Sequence, residues 1–217
     1  IFFLIKEKKY SKLHLIKSHI TSSLKDVKNT LAKLKIQKGL IPFLLAMLCY
    51  NDAINAVIIF LFLFGREVIG LSVQKFFFVY AMFASAAAIG SFFSGKIVDK
   101  TGSKKVLISA GFLWILVIIL LLKINDLTSF TIIGSIGGIA LGMVGTASRP
   151  KLIDLVPKNK VAEYFGFFEL ADKFSGVLGP IIFGYLAASY NYSIALISLL
   201  VFFVIGLMFL YKVPNSK

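Results

Sequence analysis

The chain has 217 residues, of which 58% are hydrophobic and 16% charged, and 24 Lys and Arg against 10 Asp and Glu give a formal charge of +14. Soluble domains average about 45–50% apolar and about 25% charged residues, so this composition excludes an ordinary soluble fold, and its few polar residues exclude disorder. Cys49 is the single cysteine, which excludes an intrachain disulfide scaffold, and the mean hydropathy of +0.89 is that of an integral membrane protein.

In chain order, residues 1–5 are apolar and lead straight into charge, with no initiator Met and no basic region ahead of them. They read as the tail of a preceding transmembrane helix, which makes the sequence a fragment, and not as a signal peptide. Residues 6–38 form a basic connection with ten lysines and two acids. Within it Leu24, Val27, Leu31 and Leu34 recur at helical spacing between lysines. An amphipathic helix on an anionic membrane surface and a solvated helical linker are equal readings of that pattern.

A bilayer core about 30 Å thick needs about 20 apolar residues per helix. Six segments qualify, at 40–64, 75–97, 104–123, 128–149, 161–188 and 191–211, within a block 39–212 that ends in a short tail, 213–217. Strand alternation is absent, so the expectation is an all-α membrane protein with six transmembrane helices. The fifth segment carries Gly176, Gly179 and Pro180, which predict tilt or a kink. The fourth carries Gly134, Gly138 and Gly142 at every fourth position, a stripe suited to close helix packing.

Charge asymmetry gives the orientation. Residues 1–38, the loops 96–105 and 149–163 and the C-terminal residues 212–217 hold 20 of the 24 Lys and Arg. The central connection and the C-terminus are therefore expected in the cytoplasm. The net positive charge is then a topology signal, and nucleic acid is not an expected partner; membrane lipids are.

The loop between the second and third segments reads Gly95-Lys-Ile-Val-Asp99-Lys100-Thr-Gly102-Ser-Lys104-Lys105. Gly95 suits close helix approach, Gly102 a tight turn, and Asp99 a helix N-terminus or a basic partner. An ordinary basic loop is the plainer reading of the charge, but not of the spacing. That spacing resembles the signature loop of the major facilitator superfamily, with Lys100 and Ser103 standing where arginines are common. Phe43-Leu-Leu-Ala46, Cys49-Tyr50-Asn51-Asp52-Ala-Ile-Asn55, Arg66-Glu67-Val-Ile-Gly70-Leu71-Ser72, and Glu163 through Phe168 to Lys173-Phe174 and Leu178-Gly179-Pro180 are similar to its vacuole-effluxer-like branch. Yeast members of that branch are implicated in amino-acid release after autophagy. Asp172 departs from the pattern, in which a small or neutral residue precedes the matching lysine.

The resemblance covers residues 40–211. It implies the C-terminal six-helix half of a twelve-helix secondary transporter, with an N-terminal six-helix half as partner and residues 6–38 as the connection. Substrate would bind near mid-membrane between halves that rock about it. The third and sixth helices would lie outside the bundle, and they carry no charge between Lys105 and Lys123 or between Lys173 and Lys212. Amino acids are the solutes implied, moving outward, with the plasma membrane favoured over the vacuolar membrane.

Ionisable residues within spans are costly and mark function by default. Asn51, Asp52 and Asn55 fall near one stripe of the first span, where an Asp can bind a proton or cation and amides can hold a polar solute. Glu169, Asp172 and Lys173 share a face of the fifth, in the order that favours a Glu169–Lys173 ion pair. These six are the candidate substrate or ion-coupling residues, with protons or sodium as the coupling ions. Interhelical hydrogen bonding and a structural ion pair are the competing readings. Arg149 pairs with Asp99 or Asp154 as a cytoplasmic gate, or anchors its helix in the headgroups.

No phosphate-cradling glycine loop occurs, and both histidines, His14 and His19, sit in the basic connection. ATP-driven pumping, metal sites and catalytic triads therefore have no support, and no cofactor or enzymatic activity is expected. A transporter-like receptor or scaffold that moves no solute is the alternative function.

Overall fold

The structure is a computed structural model that describes residues 37–124 and 126–215. The amphipathic segment around Leu24 to Leu34 and the apolar residues 1–5 lie outside the described residues. All described elements are helical and belong to the unit Lys38–Lys217. They are α1 (Leu40–Glu67), α2 (Val73–Thr101), α3 (Ser103–Leu121), α4 (Leu127–Leu155), a 3-10 turn (Lys158–Lys160), α5 (Val161–Phe174), α6 (Leu178–Ser189) and α7 (Tyr192–Tyr211).

Helices α1, α2, α3, α4 and α7 are each long and apolar enough to cross a membrane. Polar residues outside the apolar runs set their starts. Ser72 Oγ accepts from Lys75 N, Asp126 Oδ1 from Ser129 N at 2.8 Å, and Asn191 Oδ1 from Ile194 N at 2.9 Å, each occupying a donor that the first turn leaves without an intrahelical acceptor. The Asp126 carboxyl is held below the usual carboxylate range by the Ser129 N–H that it accepts. Between α2 and α3 a single residue, Gly102, reverses the chain at φ 88° and ψ 149°, a conformation open to glycine and strained for residues with a Cβ.

The fifth predicted span is not one helix. It divides into α5, of 14 residues, and α6, of 12, which at about 1.5 Å per residue are about 21 and 18 Å long, each short of a bilayer core. The expected kink is therefore a full break over residues 175–177. Ser175 Oγ donates to the Asp172 carbonyl at 2.5 Å, Gly176 follows, and Pro180 sits in the first turn of α6, where a missing N–H costs no intrahelical bond.

The core forms where α4 packs against α2 and α3, and α1 against α7. The α2–α4 seam is built from small residues. A Cβ on Gly138 would lie 2.4 Å from the Phe83 carbonyl oxygen, one on Gly142 2.2 Å from that of Ala87, and one on Gly90 2.5 Å from that of Ile139. The backbones touch there because those side chains are absent, as the glycine stripe predicts. Gly95 plays no such part: a Cβ there would meet only the Thr146 methyl at 4.0 Å, so close approach along α2 is made at Gly90. Large apolar side chains on the outer surface, among them Phe77, Phe78, Phe92 and Phe93, are exposed, which carries no penalty in hydrocarbon.

Candidate functional site

Three helices surround a polar cavity of about 300 Å³. Asn51, Ile54, Asn55 and Ile58 of α1 form one wall; Leu141, Val144, Gly145, Ser148 and Arg149 of α4 form another; Phe168, Glu169 and Asp172 of α5 complete it. Helical periodicity delivers the polar groups. Asn51 and Asn55, one turn apart on α1, share a face, as do Ser148 and Arg149 with Val144 on α4 and Glu169 with Asp172 on α5. Phe168 is buried and stacks on Phe43 of α1 with ring centroids 6.0 Å apart, fixing α5 beside α1.

Two polar contacts cross the cavity between helices. Arg149 Nη2 on α4 lies 3.7 Å from Glu169 Oε1 on α5. Asn51 Nδ2 on α1 donates to Asp172 Oδ1 on α5. The lining thus offers one guanidinium, two carboxylates, two amides and a hydroxyl within one chamber. It can hold an anionic and a cationic group at once, and its carboxylates are sites at which a proton can be carried.

The six intramembrane candidates do not converge on one point. Asn51, Asn55, Glu169 and Asp172 line the cavity. Asp52 does not; it is fully buried, and its Oδ1 accepts from the backbone N–H of Gly179 on α6 at 3.0 Å. Its other oxygen has no hydrogen-bond partner among the described residues. Consecutive residues on a helix point about 100° apart, which separates Asp52 from the face shared by Asn51 and Asn55. Lys173 is exposed, and the expected Glu169–Lys173 pair is replaced by the Arg149–Glu169 pair, because α4 brings a guanidinium to the face on which Glu169 lies.

The signature loop forms a separate site at one end of the helices. Asp99, Lys100 and Gly102 line a cavity of about 420 Å³ with Pro150 and Asp154 of α4. Arg149 belongs to the polar cavity instead of this one, so the expected pairing of Arg149 with Asp99 or Asp154 gives way to Glu169. Lys105 is exposed. Lys104 has a defined task, donating its ammonium to the carbonyls of Tyr211 at 3.2 Å and Val213 at 2.5 Å, at the C-terminal end of α7.

Sequence reasoning passed over Ser148, Phe168 and Lys151. Lys151, counted only as a loop base, is fully buried and donates to the Pro214 carbonyl at 2.8 Å. Its signal was its place two residues beyond Arg149, in a helix that runs through Pro150 to Leu155. A second, apolar cavity of about 270 Å³ shares Ile58 and Leu141 with the polar one and reaches Trp114 of α3, whose ring stacks on Phe203 of α7 at 5.3 Å. Helix α3 contributes Trp114, Val117 and Leu121 to it, and α7 lines neither chamber, in keeping with the absence of charge beyond Lys105 in α3 and throughout α7.

A family model described as Major Facilitator Superfamily matches residues 42–217. The chain belongs to the Major Facilitator Superfamily. It is 26% identical over 198 residues to an uncharacterized MFS-type transporter, YxiO, of Bacillus subtilis, covering 91% of this chain and 46% of that protein. It is 34% identical over 77 residues to Autophagy-related protein 22 of Kluyveromyces lactis, covering 35% of this chain and 16% of that one. The chain thus spans less than half the length of these relatives.

Among solved structures, the inward-open xylose transporter XylE from E. coli superimposes with a TM-score of 0.68 at 18% identity, over 81% of this chain and 47% of that one. A peptide transporter, POT, superimposes with a TM-score of 0.71 at 14% identity, over 81% and 37%. At these identities the likeness shows the fold. The protein is an integral multi-pass membrane protein of a transporter family, not an enzyme.

Proposed function

We propose that this chain is the C-terminal six-helix half of a secondary active transporter, and that it moves a small polar solute by alternating access. The observation that carries this reading is the chamber between α1, α4 and α5, where two carboxylates, a guanidinium and two amides line about 300 Å³ inside apolar helices. Such groups are retained against the cost of burial only where they bind one another or a solute, and a chamber of this size holds a small molecule.

The solute proposed is an amino acid. Its carboxylate would engage Arg149 and its ammonium Asp172 or Glu169, with Asn51 and Asn55 donating and accepting around it. Glu169 and Asp172 are the candidate carriers of a coupling proton. The matches to Autophagy-related protein 22 of Kluyveromyces lactis and of Candida glabrata favour the vacuole-effluxer branch, and outward movement is proposed with it. The signature-loop site, with Asp99, Lys100, Gly102, Lys104 and the end of α4, is proposed to face the cytoplasm, in line with the excess of Lys and Arg on that side, and the plasma membrane is the proposed location.

Full-length protein reconstituted in liposomes and assayed for radiolabelled amino-acid flux under a pH or a sodium gradient tests this. Gradient-driven flux that Glu169→Gln or Asp172→Asn lowers by about tenfold or more is the expected result. Absence of flux for every amino acid under both gradients would overturn the assignment.

A further inference from the structure

The two halves of the broken helix are held to α1 by two adjacent residues, and by contacts of opposite character. Asp172, in the last turn of α5, accepts from Asn51 Nδ2. Gly179, in the first turn of α6, donates to Asp52 Oδ1 at 3.0 Å. One turn further along α1, Asn55 faces the break itself, since a Cβ on Gly176 would lie 3.6 Å from its Nδ2. The first N–H groups of α6 have no intrahelical acceptors, and Val177, its N-cap residue, supplies no side-chain bond. A carboxylate from another helix therefore provides the cap, at the end where the helix dipole favours negative charge.

We infer that Asn51 and Asp52 clamp the two segments independently, with Asp52 as the fixed pivot of α6 and Asn51 as a releasable latch on α5. The contrast in burial sets the roles. Asp52 is fully buried and is not among the residues that line the cavity, so a solute held there does not reach its bond to Gly179. The backbones also touch there, because a Cβ on Gly179 would lie 2.2 Å from the Asp52 carbonyl oxygen. Asn51 and Asp172, in contrast, both line the open chamber.

Besides the Asn51 contact, α5 is held by the Phe43–Phe168 stack and the solvent-open Arg149–Glu169 pair, and among the described residues it buries only Tyr164 and Phe168 along its length. A cationic group entering the chamber can displace the Asn51 amide from Asp172. That frees α5 to swing about residues 175–177 while α6 stays on α1. This release step rests on the chamber being the solute site; the clamp does not.

Distance measurement by paired spin labels in the full-length protein, after replacement of Cys49 and any other native cysteine by Ala, reads the clamp without reference to transport. One label at Ile59→Cys on α1 is paired with Leu170→Cys on α5 or with Tyr185→Cys on α6, all three positions being exposed. Asn51→Ala is expected to shift or broaden the α1–α5 distance by about 2 Å or more and to leave α1–α6 unchanged. Asp52→Ala is expected to displace α1–α6, whereas Asp52→Asn keeps the wild-type distance because its amide oxygen still accepts the Gly179 N–H.

The inference is overturned if Asn51→Ala leaves α1–α5 in place, or moves both distances alike. If Asp52→Ala yields no folded protein, Asp52→Asn decides: a wild-type α1–α6 distance supports the pivot and a displaced one overturns it. Since the readout is distance, failure of the flux assay bears on the transport reading alone.

Discussion

Arg149 of α4 and Glu169 of α5 face each other across the polar chamber, with Nη2 3.7 Å from Oε1, and their side chains are 65% and 47% exposed. A pair so open to solvent contributes little to stability, at most about 1 kcal/mol. Its position inside a membrane protein then needs another explanation, and the lining of the cavity provides one.

If the pair serves solute binding, its removal separates stability from flux. Arg149→Ala and Glu169→Gln are each expected to melt close to wild type while losing about tenfold to hundredfold in transport, the worth of one charge-assisted hydrogen bond. Thermal melts and initial rates on the same preparations check this, and a melting shift as large as the loss of activity would make the pair structural.

Gly179 should be among the least replaceable residues of the bundle. A Cβ there would lie 2.2 Å from the Asp52 carbonyl oxygen, so Gly179→Ala must push α6 away from α1. The expected cost is about 1–3 kcal/mol, as for other overpacked contacts. Gly166→Ala, with nothing within 4 Å of the added methyl, is the control and should be neutral in the same unfolding assay.

Lys104 ties the signature loop to the end of α7 through the carbonyls of Tyr211 and Val213. Lys104→Ala is expected to raise hydrogen exchange at the Lys212 and Val213 amides by about tenfold, from the loss of about 1–2 kcal/mol of local hydrogen bonding. Unchanged exchange would show that Lys151, bonded to the Pro214 carbonyl, holds this segment by itself.

Asp126 gives a pH dependence of known sign. Its carboxyl lies below the usual carboxylate range because the ionised form accepts the Ser129 N–H. A lowered folded value means that the stabilisation of the first turn of α4 is complete above the unfolded value and is lost as pH falls through the folded one. Exchange of the amides at 128–130 should therefore rise on acidification below about pH 4 in wild type. In Asp126→Asn, which caps without titrating, it should not.

Much of the architecture was legible in the residues. Runs of about 20 apolar positions locate α1, α2, α3, α4 and α7 because a helix must satisfy its own backbone in hydrocarbon. The Gly134–Gly138–Gly142 stripe announced the α2–α4 seam, since spacing of four places small residues on one face. In the fifth span Gly176, Gly179 and Pro180 predict tilt or a kink, since they say only that a helix is weakened, and the structure has a full break instead. Whether it bends or parts depends on what receives the exposed backbone groups, and that receiver, Asp52, lies on another helix.

The sequence by itself therefore determined the solvent, the helices and the set of charged residues that hydrocarbon would not tolerate without purpose, all of them properties of local composition. Only the tertiary structure divided that set. It put Asn51, Asn55, Glu169 and Asp172 in the chamber, brought Arg149 to Glu169 from α4, and turned Asp52 away to cap α6. Neighbours on one helix can be read from a period of 3.6, whereas partners on different helices are fixed by how those helices pack, and no spacing along the chain encodes that.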